Sequence, residues 1–133
     1  MSRVGYSARL PGSDDASPTV LIIDLTQATF GAFIAQQARP VLVTFSGAGC
    51  SRCRNLLPLL RELALNYRNQ AAFAKVDVDA DPALTAAYAI TTLPTIVLFQ
   101  NGEHSTVLAG SGGRPELLAA LQRQLTGPSH AFS

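Results

Sequence analysis

Cys50 and Cys53, the two cysteines of the chain, stand three residues apart as Cys50-Ser51-Arg52-Cys53. They follow the apolar run Val41 to Phe45 and precede a helix-forming stretch from Arg54 to Tyr67. A thiol at the start of a helix lies against unpaired backbone N–H groups and the positive end of the helix dipole, so its thiolate is favoured and its pKa falls toward neutrality. A second thiol three residues later can attack any mixed disulfide that the first one forms. This spacing suits a dithiol that cycles between reduced and disulfide states. The metal alternative is a site shared between two chains, because no second CxxC and no nearby histidine completes a four-ligand zinc shell. His104 falls beside a predicted turn and His130 near the end of the chain, neither placed as a catalytic base or ligand.

The elements that must position the pair can be read on either side of it. Val20 to Leu25 is a short β-branched run, and Thr26 is suited to cap the following helix, in which Phe30, Phe33 and Ile34 recur at helical spacing. After Pro40, Val41-Leu42-Val43-Thr44-Phe45 is apolar on both alternating faces except at Thr44, the pattern of a central strand covered by helices. Ser46-Gly47-Ala48-Gly49 is the turn that delivers Cys50. Leu56, Leu57, Leu59, Leu60, Leu63 and Leu65 then predict a helix that is apolar around much of its circumference, kinked at Pro58, where a backbone donor is missing. Ala72 to Val78 reads as the next strand, and Asp81-Pro82 as N-cap and first residue of a helix over Ala83 to Tyr88. Thr95 to Gln100 and Ser105 to Ala109 form a hairpin through Asn101-Gly102, and Pro115 to Leu125 is a last amphipathic helix. The fold class is therefore α/β, a single mixed sheet with helices on both faces.

Composition narrows the function classes. A chain of 133 residues, 47% hydrophobic, can bury one adequate core and is too short for two domains. Residues 1–18 are rich in turn formers without apolar period and predict a flexible arm, followed by one domain over 19–126 and a tail at 127–133. A formal charge of +1 without a basic stripe gives no expectation of nucleic-acid binding, and the scattered Arg3, Arg9 and Arg39 form no patch. The apolar runs are too short for a membrane span and the N-terminus has no signal-like apolar region, so the expected compartment is the cytoplasm. A single CxxC also differs from the multi-bridge framework of a small secreted domain.

From about Val20 to Thr126 the chain resembles the thioredoxin family. The resemblance rests on landmarks in order: the strand Val41 to Phe45, the CxxC, Pro58, Lys75-Val76-Asp77-Val78-Asp79, Thr92-Leu93-Pro94-Thr95, Phe99-Gln100-Asn101-Gly102-Glu103 and Gly110. It implies a thioredoxin fold with the dithiol at the start of the second helix and a cis peptide before Pro94 beside it. It further implies that Cys50 attacks a disulfide in a target protein and that Cys53 resolves the mixed disulfide, with Ser51 and Arg52 supporting the pair. Leu93 would pair its backbone with an extended substrate chain, and Gly49, Pro94 and Gly110 would line the substrate surface. The partners implied are disulfide-containing proteins and a thioredoxin-reductase-like flavoprotein donor. The expected protein is a monomer, with no cofactor beyond the Cys50–Cys53 disulfide.

The departures from that family define its expected peculiarities. Ser46 and Gly49 replace an aromatic pair and the chain has no tryptophan, which either weakens substrate selection or only loosens the loop. Thr44 stands where the family commonly places a buried aspartate that takes the proton of the resolving cysteine, and threonine is no base. Lys75 matches the lysine that neighbours that aspartate and is expected to lack its partner; it either assists proton transfer or, the preferred reading, reaches solvent. Arg52 either favours the Cys50 thiolate, making the couple more oxidising, or is an ordinary surface charge. The leading function is a protein dithiol-disulfide oxidoreductase serving electron transport and cell redox homeostasis. The alternative is a thioredoxin-like binding or chaperone module with weak turnover, and a metal-bridged or disulfide-linked dimer ranks last.

Overall fold

A computed structural model of the protein describes residues 21–110 and 114–125. The predicted arm at 1–18, the tail at 127–133, and Ser111 to Gly113 of the glycine-rich turn lie outside the described residues. The elements run β1 (Ile22–Leu25), α1 (Gln27–Gln36), β2 (Val41–Ser46), α2 (Ser51–Asn66), β3 (Ala72–Asp77), α3 (Pro82–Ala87), β4 (Thr95–Gln100), β5 (Glu103–Ala109) and α4 (Arg114–Leu125). The sheet order is β1-β3-β2-β4-β5, with β1, β3 and β2 parallel and β4 and β5 antiparallel. The predicted central strand β2 is thus the middle of the sheet.

Alternation along the strands divides the core into two layers. Leu42, Phe73, Ile96 and Leu98 face α2 and α4, meeting Leu60, Leu63, Leu117 and Leu121. Val43, Phe45, Val76 and Val97 face the other way, toward Phe30 of α1 and Leu84 of α3. Each such large side chain taken fully from water contributes about 1.5–3 kcal/mol, before the entropy of ordering it. Because β2 is covered on both faces, its end is held rigidly, and that end carries the turn to Cys50.

Several boundaries differ from the sequence reading for identifiable reasons. β5 begins two residues earlier than predicted, because Asn101 and Gly102, with φ of 55° and 80°, complete the hairpin turn on their own. Asp81 precedes Pro82 as predicted, but its carboxylate does not cap α3. Instead its Oδ1 accepts from the Gln27 N–H at 3.0 Å, placing a negative charge at the start of α1. At that same helix start the Thr26 N–H donates to Thr29 Oγ1 at 3.0 Å. Leu65, expected among the apolar positions of α2, is 49% exposed, since it lies about 200° around the helix from buried Leu63. Pro58 lies inside α2 on its exposed side. Tyr67 and Tyr88 stand at the C-terminal ends of α2 and α3, and Tyr88 meets Phe99 edge-on at 5.3 Å and His104 at 5.0 Å. Among the described residues no helix is long and apolar enough to cross a membrane.

Candidate active site

The cysteines sit where β2 hands over to α2. Cys50 is itself the N-cap of α2, so the helix begins at Ser51, three residues earlier than the sequence reading placed it. The Cys50 N–H donates to the Gly47 carbonyl at 3.1 Å, and the Cys50 carbonyl accepts from the Arg54 N–H at 3.2 Å. The Cys53 N–H points at Cys50 Sγ, 3.1 Å away, so a helix-terminal amide faces the first sulfur as the dipole argument requires. The two cysteines form a disulfide, with their Cα atoms 5.3 Å apart. Cys50 is half-buried, whereas Cys53 is only 8% exposed. That asymmetry follows from helix geometry: at 100° per residue Cys53 shares its face with Leu60 and Ala64, which are buried against the sheet.

Ser51 and Arg52 occupy the exposed side of the first turn, and the Arg52 guanidinium has no hydrogen-bond or ion-pair partner among the described residues. Arg54, which the sequence reading left unassigned, reaches back to donate from Nη1 to the Ala48 carbonyl at 2.6 Å. This tie closes the turn onto the helix. Gly49 is exposed, and a Cβ there would meet nothing within 4 Å, so the absent aromatic leaves open space rather than a filled rim.

The second loop of the site enters at the same end of the sheet, because Phe45 at the end of β2 pairs with Thr95 at the start of β4. The Leu93–Pro94 peptide is cis, as the resemblance implied, and Pro94 is buried. The Pro94 carbonyl accepts from the Gly110 N–H at 2.8 Å, and Gly110 has φ of 76°, a left-handed conformation that suits glycine. Thr95 Oγ1 donates to the Thr92 carbonyl at 2.6 Å, bracing the loop from behind. Leu93 packs over Gly47: a Cβ on that glycine would stand 3.4 Å from Leu93 Cδ1 and 3.3 Å from Asp79 Oδ2. Leu93's own N–H and carbonyl have no hydrogen-bond partner among the described residues.

Beneath the disulfide, Thr44 is 6% exposed and lines a cavity of about 280 Å³ together with Cys53, Ser46 and Lys75. Here the structure corrects one expectation. Lys75 does not lack a carboxylate partner, since its Nζ lies 3.2 Å from Oδ1 of Asp24. The cause is register: Asp24 on β1, Lys75 on β3 and Thr44 on β2 are paired across one row of the sheet, so the carboxylate that meets Lys75 comes from β1, two strands from Thr44. The lysine side chain is 38% exposed, partly reaching solvent as the preferred reading had it. Asp24 and Asp77, both on this cavity wall, are functional candidates that the sequence reading missed; the register of β1 against β3 reveals the first, and that of β2 against β3, which pairs Ser46 with Asp77, the second. Among the described residues no group of three or more His, Cys, Asp or Glu is arranged to hold a metal ion.

Comparison with known proteins agrees with this geometry. The thioredoxin family profile matches residues 21–123. The chain is 36% identical over 107 residues to the bifunctional thioredoxin reductase/thioredoxin of Mycobacterium leprae, a match covering 80% of this chain and 23% of that protein. It therefore spans less than a quarter of that relative's length. It is 31% identical over 101 residues to thioredoxin 1 of Synechococcus elongatus, covering 76% of this chain and 94% of the relative. It is 31% identical over 99 residues to a thioredoxin of Mycobacterium tuberculosis, covering 74% and 85%. A strand-delivered cysteine pair at a helix start, on a sheet of this order and with relatives of this kind, has one family to belong to: the protein is a member of the thioredoxin family, the dithiol-disulfide oxidoreductases.

Proposed function

We propose that Cys50 is the attacking thiol and Cys53 the resolving thiol of a protein-disulfide reductase. The observation that carries the assignment is their unequal burial: Cys50 is half-buried at the helix cap, and Cys53 is 8% exposed behind it. The Cys50 thiolate attacks a target disulfide, forms a mixed disulfide and releases one target thiolate, which takes up a proton. The Cys53 thiolate then attacks the Cys50 sulfur, closes the internal disulfide and releases the second target thiolate. Two electrons have passed to the target. The unpaired N–H and carbonyl of Leu93 support its role as a backbone docking point for an extended substrate segment, with exposed Gly49 on the surface beside it; Pro94 and Gly110 are buried and act by holding the Leu93 loop from behind rather than by facing the substrate. Ser51 and Arg52 support the Cys50 thiolate from the first helical turn, and Thr44 leaves Cys53 without an immediate base.

The oxidised pair is returned to the dithiol by a thioredoxin-reductase-like flavoprotein, a reading supported by the bifunctional relative, whose name joins reductase and thioredoxin in one chain. The catalytic unit is residues 19–126, acting as a monomer in the cytoplasm with its cysteine pair as its redox group. Insulin reduction driven by dithiothreitol, and separately by NADPH with a reductase, tests the proposal. Activity in the first is expected. Inactivity in both would favour the alternative, a binding module, which the bare rim at Gly49 would then explain.

A further inference from the structure

Resolution requires Cys53 to lose its proton, and the buried group beneath it, Thr44, cannot accept one. The cavity that Cys53 lines carries four charged side chains: Asp24 from β1, Lys75 and Asp77 from β3, and Arg54 from α2. The ammonium and the guanidinium have no acceptor, and Arg54 is tied to the Ala48 carbonyl. Two carboxylates remain as bases. Asp77 Oδ1 is engaged by the Asp79 N–H at 2.9 Å, within the turn that follows β3. Asp24 is fixed by Lys75 at 3.2 Å and is 79% exposed, so it joins the cavity to bulk water. Adjacent strands lie about 4.8 Å apart, which puts Asp24 about 10 Å across the sheet from Thr44, a gap that two or three water molecules span. The cavity wall is more apolar than polar, but Thr44, Ser46 and the four charged side chains supply partners for water, and its 280 Å³ holds several molecules.

We infer that Asp24, held in place by Lys75, accepts the Cys53 proton through water in this cavity during resolution. The inference rests on the reading of Cys53 as the resolving thiol. The proton leaves the Cys53 sulfur for the Asp24 carboxylate and passes from there to bulk solvent. The resulting thiolate attacks Cys50 Sγ, the bond between Cys50 and the target sulfur breaks, and the departing target thiolate takes up a proton from solvent. Asp24 thereby serves at the sheet edge the need that Thr44 leaves unmet, with Lys75 as its positioning residue.

Single-turnover mixing of the reduced full chain with a fluorescent peptide disulfide separates attack from resolution. Asp24→Asn is expected to slow resolution about tenfold near neutral pH, less than the roughly hundredfold or more of a general base in direct contact because the transfer runs through water, while leaving attack unchanged. Its resolution rate should rise in proportion to hydroxide and recover on adding acetate, and Asp24→Glu should retain the parental rate. Lys75→Met should slow resolution by less than Asp24→Asn. An unchanged resolution rate in Asp24→Asn, a slowing that acetate does not relieve, or a slowing found in Asp77→Asn alone would overturn the inference. In Cys53→Ser the mixed disulfide must accumulate; if it does not, the assignment of the two thiols fails as well, a result distinct from an Asp24 that merely proves silent.

Discussion

Arg52→Ala should make the reduction potential of the dithiol more negative, by at most about 20 mV. Arg52 is exposed on the first turn of α2, and its guanidinium is unpaired among the described residues. Two positions along the chain from Cys50, its charge can act on the thiolate that Cys50 carries when reduced; in the disulfide that negative charge is gone. Two unit charges about 4 Å apart in water attract by about 1 kcal/mol, and exposed pairs deliver that much or less. For a two-electron couple about 1.4 kcal/mol corresponds to 30 mV, so the ceiling is about 20 mV. The sign follows directly: removing the cation destabilises the thiolate, hence the reduced form, hence lowers the potential. Screening supplies an internal control, because the Debye length falls from about 10 Å at 0.1 M salt to about 3 Å at 1 M, and the difference between variant and parent should shrink by about half or more there. Equilibration against a series of glutathione ratios, with alkylation and mass spectrometry, reads the potential. A shift to more positive values, or a large shift that salt does not touch, would refute the reasoning. The expected outcome is a couple that Arg52 makes only slightly more oxidising.

Other perturbations probe the frame of the site. Leu63→Ala removes a 1%-exposed side chain from the layer beneath α2 and should cost about 3 kcal/mol, lowering Tm by more than about 10 °C, whereas Leu65→Ala should stay within about 0.5 kcal/mol by the same thermal melt. Gly110→Ala and Gly102→Ala both force alanine into a left-handed conformation, at φ of 76° and 80°, and each should lose about 1–2 kcal/mol. Only Gly110→Ala should also slow insulin reduction, because the Gly110 N–H holds the Pro94 carbonyl. Gly49→Trp places an indole where a Cβ meets nothing, and should lower the KM for a protein disulfide several-fold with little change in Tm; an unchanged KM would show that the bare rim does not limit substrate capture.

What could be read before the structure was local. The Cys50–Cys53 spacing, the apolar run of β2, the Asn-Gly turn and Pro94 each carry their signal within a few residues, and each stands where it was expected. The exact start of α2 is not legible in the sequence because a cysteine is not a usual cap, and its role emerges only where the Gly47 carbonyl and the Cys53 N–H close around it. Leu65 was misplaced because a leucine-rich helix does not say which of its leucines faces water. The Lys75–Asp24 pair was hidden for a deeper reason. It joins residues 51 positions apart through the register of two parallel strands, and no short-range pattern encodes which edge strand lies beside β3. Asp81 shows the same thing, since its carboxylate serves α1, 54 residues away, rather than the helix it precedes.

The division of labour between the two sulfurs is tested most directly by trapping. Reduced Cys53→Ser and Cys50→Ser proteins are mixed separately with a disulfide-bonded target, and the adducts are weighed by intact mass spectrometry. Half-buried Cys50 and buried Cys53 predict a stable mixed disulfide through Cys50 in the first variant and little or none in the second. Equal trapping by both variants, or trapping through Cys53 alone, would contradict the account.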